Sequence, residues 1–489
     1  MPGSRNLAVA TTSIRCPNCA SRNVPDKREI LDGVYFGSCP KCQHQYKFKA
    51  IPTPKSTVTF NIDGKSYTAN SQTDVSMKLN EFIRDVAGLR DTKLMCYEGY
   101  CGSCIVVATF LDPLTRRSQT MAINSCLCPV YSCDGWDIVT PAGIGNKRSG
   151  FHVLQEKLAE HNGSQCGYCS PGMVMNMYGF LHENPKPSPQ QIEDAFDGNI
   201  CRCTGYRSIL DAMQTFAVSA GDIEDIARSS CKDHCASNLC RKQCSPTESV
   251  HMVFSTSQWY KPSSLQEVLQ LLQQHASKKV AFVVGGTNFS YGNDVYIDLK
   301  GVQELYQVDM TSTPVSFGAN TTVAQLIILL DQLKGRSYYA YCADLTKHLS
   351  KVATRTVRNV ASVGGNLMWK HEDHFFPSDV FLLLETVDAR ITVTKSDATS
   401  SVCSPQELLG LDMNHRILTK ITLPPQQADD VVKTYKVMLR NQGSLAAVNA
   451  GFHMKIDQAS GCKVIGMPAI VFGGISAEMV CLTSLSLDS

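Results

Sequence analysis

The chain has 489 residues, room for several domains at about 150 residues each, and its 43% hydrophobic and 18% charged content is ordinary for folded globular protein. A net charge of +2, with no apolar run approaching the roughly 18–20 residues of a membrane span, gives no sign of a nucleic-acid or membrane partner. The unusual count is 22 cysteines without a secretory leader, which argues for metal in a reducing compartment, the cytosol by default, and against a disulfide scaffold.

Residues 1–55 carry Cys16-Pro-Asn-Cys19 and Cys39-Pro-Lys-Cys42. The C-x2-C-x19-C-x2-C spacing fits two knuckles closing a tetrahedral sulfur site, a zinc ribbon, with another metal or free thiols as the alternative. Ile30, Val34, Tyr35 and Phe36 suit a small hairpin that the metal would staple, supplying most of the folding energy. Lys27, Arg28, Lys41 and Lys47 read as a solvated face rather than a nucleic-acid contact.

Residues 56–145 begin TVTFNIDGKSYTAN, two alternating strands joined at Asp63-Gly64. VSMKLNEFIRDVAG reads as a helix and IVVATFLD as a strand. Cys96, Cys101 and Cys104 stand as C-x4-C-x2-C, and Cys126 follows after 21 residues. That is the plant-ferredoxin spacing for a 2Fe–2S cluster, in which a tight loop supplies three thiolates and a distant position the fourth. Gly99 and Gly102 suit a chain curling around the cluster with φ > 0. Hairpin, helix and loop together suit a β-grasp ferredoxin domain; Cys128 and Cys133 read as core or bystander thiols.

Residues 146–220 read as helical: HVLQEKLAEH, GMVMNMYGFLHEN and PQQIEDAFDGN, then GYRSILDAMQTFA. Cys166-x2-Cys169 and Cys201-x-Cys203 each precede one of these helices, where helix dipoles favour an anionic iron–sulfur cluster. Met173, Met175 and Met177 are core candidates, and Arg202 and Arg207 would either offset the cluster's charge or lie on a helix surface. Residues 221–250 are a polar linker whose Cys231, Cys235, Cys240 and Cys244 lack a scaffold for more than an adventitious metal.

The motifs C-x4-C-x2-C…C, GSQCGYCSPG and GNICRCTGYR together resemble the iron–sulfur region of the xanthine dehydrogenase/aldehyde oxidase family of molybdenum hydroxylases. The resemblance is dense over about residues 57–217 and continues more weakly to about residue 475. It implies two 2Fe–2S clusters, held by Cys96, Cys101, Cys104 and Cys126 and by Cys166, Cys169, Cys201 and Cys203. Met95, Tyr97 and Tyr100 depart from the family, which tends to have smaller residues there, glycine among them. The family usually starts directly at the ferredoxin-like domain, so the zinc-ribbon segment is a further departure.

From residue 251 the resemblance implies an α+β FAD-binding domain of the vanillyl-alcohol-oxidase (PCMH) type, over 251–428. KPSSLQEVLQLLQQH is an amphipathic helix, and KKVAFVVGGTNFSYG a strand entering a glycine turn. Phe282, Val283, Val284, Gly285, Gly286, Thr287, Asn288 and Phe289 match the first pyrophosphate loop, and Ser362, Val363, Gly364, Gly365 and Asn366 the second. Two glycine turns would present backbone amides to the FAD phosphates; neither is the Rossmann fingerprint. Asp379, Leu418 and Lys436 are further flavin contacts by the same resemblance.

Residues 429–489 resemble the start of the flavoprotein's C-terminal subdomain and then lose the resemblance at SAEMVCLTSLSLDS. The molybdopterin domains of the family have no counterpart here, so the chain alone is expected not to oxidise a substrate. The implied role is electron transfer through two 2Fe–2S clusters to FAD and on to oxygen, in a member nearest the aldehyde oxidases by the wording SVGGNLMWKHEDHFFPSDVFLLLE. The alternatives are an NAD-reducing xanthine dehydrogenase type and a non-catalytic iron–sulfur or zinc-ribbon binding protein. The family implies a homodimer and a molybdopterin domain or subunit as partners.

Overall fold

The structure, a computed structural model, describes residues 54–218, 249–440, 443–457 and 463–476, and the backbone of short strands in the flanking segments. Cys16, Cys19, Cys39 and Cys42, like Cys231, Cys235, Cys240 and Cys244, lie outside the described residues.

The first folded unit is a mixed five-stranded sheet in the order Lys65–Ala69, Val58–Ile62, Asp137–Val139, Ile105–Leu111, Ser118–Asn124. Its opening hairpin turns at Asp63 and Gly64, both at positive φ (50° and 78°), which matches the right-handed twist of the flanking strands. A helix at Leu79–Glu81 widens into a π-turn over Phe82–Val86 and buries Leu79, Phe82 and Ile83 on one face of the sheet.

Across the predicted boundary near residue 146 the two cysteine-bearing segments pack against each other. Helices Val153–Glu160, Ser170–Glu183, Pro189–Ala195 and Arg207–Gln214 share one core with Ile105, Val107 and Ala122 of the sheet. Met173, Met175 and Met177 are at most 1% exposed in that core, as expected of structural methionines. The two cysteine-bearing units therefore share one core, because neither helix face nor sheet face could be left to water at this degree of apolarity.

The chain re-enters at Ser249, where Lys55 donates its N–H to the Ser249 carbonyl (2.9 Å) and accepts from His251 N–H (2.8 Å). A four-stranded sheet follows, ordered Val250–Val253, Gln258–Lys261, Val295–Asp298, Val280–Val283. Trp259 and Tyr296 from it complete the core of the ferredoxin-type unit, Trp259 lying 5.6 Å from Tyr131. A five-stranded sheet built around Arg416–Leu423 and Arg390–Lys395 carries helices Val323–Leu333, Cys342–Leu349, Val363–Glu372 and Asp379–Thr386, with the largest core among the described residues between them. A last antiparallel sheet begins with Asp430–Met438 and Ala446–Asp457.

Candidate redox centres and flavin cleft

Cys101, Cys104 and Cys126 are buried and Cys96 is half-buried, on the loop between the helix and strand Ile105–Leu111 and on the turn after Ser118–Asn124. They meet in pairs. The Cys96 thiol donates to Cys101, which holds Cys101 down to about 5 and pushes Cys96 up. Cys126 pairs with Cys104 and is pushed up by that bond and by burial. Gly102 sits at φ 69°, and a Cβ there would collide with the Gly198 carbonyl, so the cluster loop packs closely on the segment before Cys201. Among the described residues no three metal-ligating side chains converge on a single-ion point; a diiron cluster asks for a wider ring of thiolates than one ion does.

Cys166, Cys169, Cys201 and Cys203 converge likewise, Cys169 on Cys201 and Cys166 on Cys203. Burial and the Cys201 contact raise the Cys169 thiol to about 12. Burial also acts to raise Cys201, but the Thr204 hydroxyl at 3.2 Å and the Thr204 N–H at 3.5 Å outweigh it and lower the thiol. Cys169 is the N-cap of Ser170–Glu183, and Cys201 and Cys203 lie just before Arg207–Gln214. Both helix N-termini therefore face the cysteine group, as the sequence predicts. Arg202 is exposed, and Arg207 opens the second of these helices.

The two cysteine groups touch through backbone. Ile200 N–H, one residue before Cys201, donates to the Cys101 carbonyl at 3.0 Å. At its other side the first group opens onto a cleft of about 1400 Å³, walled by Lys78, Tyr97–Tyr100, Cys126 and Leu127 on the iron–sulfur side and by both glycine motifs on the other. Gly286 (φ 69°) seats the first glycine loop against the iron–sulfur unit: a Cβ there would stand 2.7 Å from the Leu127 carbonyl oxygen and 2.6 Å from Pro129.

Every predicted flavin contact lines this cleft except Val363, which is fully buried in the core below it. The reason is local. Ser362 caps the helix Val363–Glu372, so SVGGN is a first helical turn and not a second loop, and its second residue points inward. The amides there are already spent: Gly364 N–H donates to Ala319 O (2.8 Å) and Gly365 N–H to Ser362 Oγ (3.0 Å). By contrast, no hydrogen bond among the described residues engages the amides of Gly285, Gly286, Thr287 or Asn288. The two glycine motifs thus differ in local form: the first is a loop with open amides, the second the capped start of a helix.

Asp379 and Lys436 form a buried pair at 2.8 Å beneath the cleft. His348 Nε2 (3.1 Å) and Asn449 Nδ2 (2.7 Å) also reach the carboxylate. Burial acts to raise Asp379, but the His348 bond and the Lys436 charge outweigh it and hold the carboxyl below its ordinary range.

Comparison with known proteins agrees with this division. The family model for the 2Fe-2S iron-sulfur cluster binding domain matches residues 60–131 and that for the [2Fe-2S] binding domain residues 140–214. The FAD binding domain in molybdopterin dehydrogenase matches residues 254–426. The chain is 30% identical over 487 residues to the indole-3-acetaldehyde oxidase of Arabidopsis thaliana, covering 88% of this chain and 35% of that protein. It is 30% identical over 467 residues to a xanthine dehydrogenase of Oryza sativa subsp. japonica, covering 82% and 34%. This chain belongs to the xanthine dehydrogenase/aldehyde oxidase family. It spans about a third of the length of these curated relatives. Among solved structures, quinoline 2-oxidoreductase from Pseudomonas putida 86 is similar at 31% identity, covering 33% of this chain and 92% of that one, with a TM-score of 0.28.

In this family member several residues that tie the redox units together carry no motif. Thr356 donates to Asn124 Oδ1 (3.0 Å), and Asn124 donates to the Gly99 carbonyl in the cluster loop (2.8 Å). Arg355 pairs with Glu183 (2.7 Å) and Asn176 (2.8 Å), and Arg358 with Asp197 (3.2 Å). The segment TRTVRN just before the second glycine motif is therefore the bolt between flavin domain and iron–sulfur unit. A run of two arginines and an asparagine beside a glycine motif is the only sequence signal for it.

Tyr97 occupies the left-handed region at φ 62° with its ring half exposed. Such a conformation costs a non-glycine residue about 1–2 kcal/mol. Tyr97→Gly is expected to stabilise the cluster loop by about 1 kcal/mol, read as slower iron loss to a chelator and a higher melting temperature. An unchanged or faster loss would show that the tyrosine ring shields the site by more than the strain it brings.

Proposed function

We propose that the chain is the electron-transfer portion of a molybdenum hydroxylase, with two 2Fe–2S clusters and FAD as carriers. When bound, the clusters supply one-electron carriage and the flavin a store that takes one or two electrons. Cys96, Cys101, Cys104 and Cys126 hold one cluster, and Cys166, Cys169, Cys201 and Cys203 the other. Gly285, Gly286, Thr287 and Asn288 offer amides to the dinucleotide phosphates, and Asp379 with Lys436 fixes the floor of its cleft. Tyr97 to Tyr100 and Leu127 form the wall shared by cluster and cleft.

One observation carries this reading: the three sites are in series. The Cys101–Ile200 hydrogen bond links the two cysteine groups, and the Cys126–Leu127 turn is itself a wall of the flavin cleft. The electron donor would be a molybdopterin domain or subunit, and the acceptor oxygen, with NAD as the dehydrogenase-type alternative. A zinc site at Cys16, Cys19, Cys39 and Cys42 is part of the same proposal. In sequence, these pairs fall between antiparallel strands Ile14–Arg15 and Arg22–Asn23 and between Val34–Ser38 and Gln45–Lys49. No helix among the described residues is long and apolar enough to cross a membrane.

Anaerobically purified protein should carry about four irons per chain, together with FAD. It should show two distinct rhombic resonances when reduced with dithionite, and bleach and recover on adding oxygen. Recovery with NAD under anaerobic conditions would move it to the dehydrogenase type. A colourless, zinc-only protein would end the electron-transfer reading.

A further inference from the structure

Lys78 stands where a helix usually has its cap. It precedes Leu79–Glu81 at a position that favours serine, threonine, aspartate or asparagine, and its positive charge is unfavourable at a helix N-terminus. Yet it is buried, 7% exposed, and its Nζ has no hydrogen-bond partner. The ammonium lies 3.9 Å from the centre of the Phe289 ring and 5.4 Å from that of Tyr291. The nearby Glu81 carboxylate accepts from Lys78's own backbone N–H at 2.8 Å. Burial, the largest influence, lowers the ammonium to about 8, although the Cys128, Glu81 and Cys126 charges act the other way. A buried cation that breaks the capping rule and lacks an acceptor is a group waiting for an anion.

The cleft wall says which anion. Lys78 lines the flavin cleft, and the ring it packs on, Phe289, directly follows the Gly285–Asn288 nest whose amides are open. The other buried cations lining the cleft are already committed, Lys436 to Asp379 and Arg358 to Asp197. We propose that Lys78 is the counter-charge of the Gly285–Asn288 phosphate cradle, reaching from the iron–sulfur unit to the diphosphate of a dinucleotide held by the flavin domain. The inference rests on the FAD reading of the cleft. Amides orient the phosphate oxygens and a lysine supplies the point charge, the division of labour that suits each group. The dinucleotide would then be clamped by two domains at once.

The test uses the full chain with its clusters assembled and its flavin removed, titrated with FAD and with riboflavin, which has the ring and no phosphate. Lys78→Met is expected to weaken FAD roughly 10- to 100-fold, the worth of one charge-assisted hydrogen bond, and to leave riboflavin binding unchanged. Lys78→Arg, which keeps the charge, should retain most of the FAD affinity. Unaltered FAD affinity in Lys78→Met, or equal loss for both ligands, overturns the proposal. Riboflavin binding and the cluster absorbance report that the variant is folded, and Lys78→Gln replaces it where assembly fails. A wild-type chain that binds neither ligand refutes the flavin reading itself, an outcome distinct from a Lys78 effect that fails to appear.

Discussion

Cys126→Ser is expected to leave the chain with about two irons in place of about four, and with one of its two resonances in the reduced state. Cys126 is 2% exposed and sits on the turn that separates the first cysteine group from the flavin cleft. Serine there would bring a hydroxyl that is a far poorer iron ligand than a thiolate, into a site already shaped by burial. The helical-domain group shares no thiol with the lost one, so its signal should survive. Flavin reduction by external dithionite should also survive, whereas any transfer that enters at Cys201 or Cys203 should stop before the flavin. Iron analysis and paramagnetic resonance on the same sample check this. Retention of both signals would mean that Cys126 is not a ligand and that the fourth thiolate lies elsewhere, Cys128 being the nearest candidate in sequence.

Asp379→Asn is expected to be the most damaging single change away from the cysteines. It leaves Lys436, 1% exposed, without its carboxylate, and removing one partner of a buried ion pair costs about 3–5 kcal/mol. In a domain of this size that corresponds to a fall of roughly 10 °C in melting temperature. The pH dependence follows from the direction of the shift. The folded-state pKa of Asp379 is held below its ordinary value of 3.8, so the unfolded chain binds the proton more readily. Its contribution is complete above the unfolded value and is lost as pH falls through the folded one. Wild-type stability should therefore drop on the acid side by more than that of Asp379→Asn, and melting curves at a series of pH values check both statements. Equal melting temperatures at neutral pH would show that the pair contributes nothing net and that Asn449 and His348 suffice to hold the site.

The chemistry of this chain was legible because thiolates announce themselves by spacing. Cys96 to Cys126 and Cys166 to Cys203 are read from the sequence and brought together in the fold in two groups. The Asp63-Gly64 turn was legible for a similar reason, since few dipeptides accept two positive φ angles. Packing partners were not. An apolar helix face says that something covers it and not what, so the common core of Ser170–Glu183 with Ile105, Val107 and Ala122 gave no sequence trace. The inward turn of Val363 is not legible, because glycine pairs in loops and in first helical turns look alike until the Ser362 cap is seen. Asn124 and Thr356 are 232 residues apart and meet only through the tertiary packing of separate sheets. Lys78 gives no signal in the sequence, because a lysine in an amphipathic segment is usually solvated.

Seating Gly286 on the Leu127 carbonyl, one residue from a cysteine that reads as a ligand, has a thermodynamic corollary. Any coupling between two occupants of a shared wall is reciprocal. Whatever factor cluster assembly adds to dinucleotide affinity, the dinucleotide returns to cluster retention. Maturation of such a chain would then be self-reinforcing: each prosthetic group inserted makes the next harder to lose, and a half-loaded polypeptide is the species most exposed to demetallation.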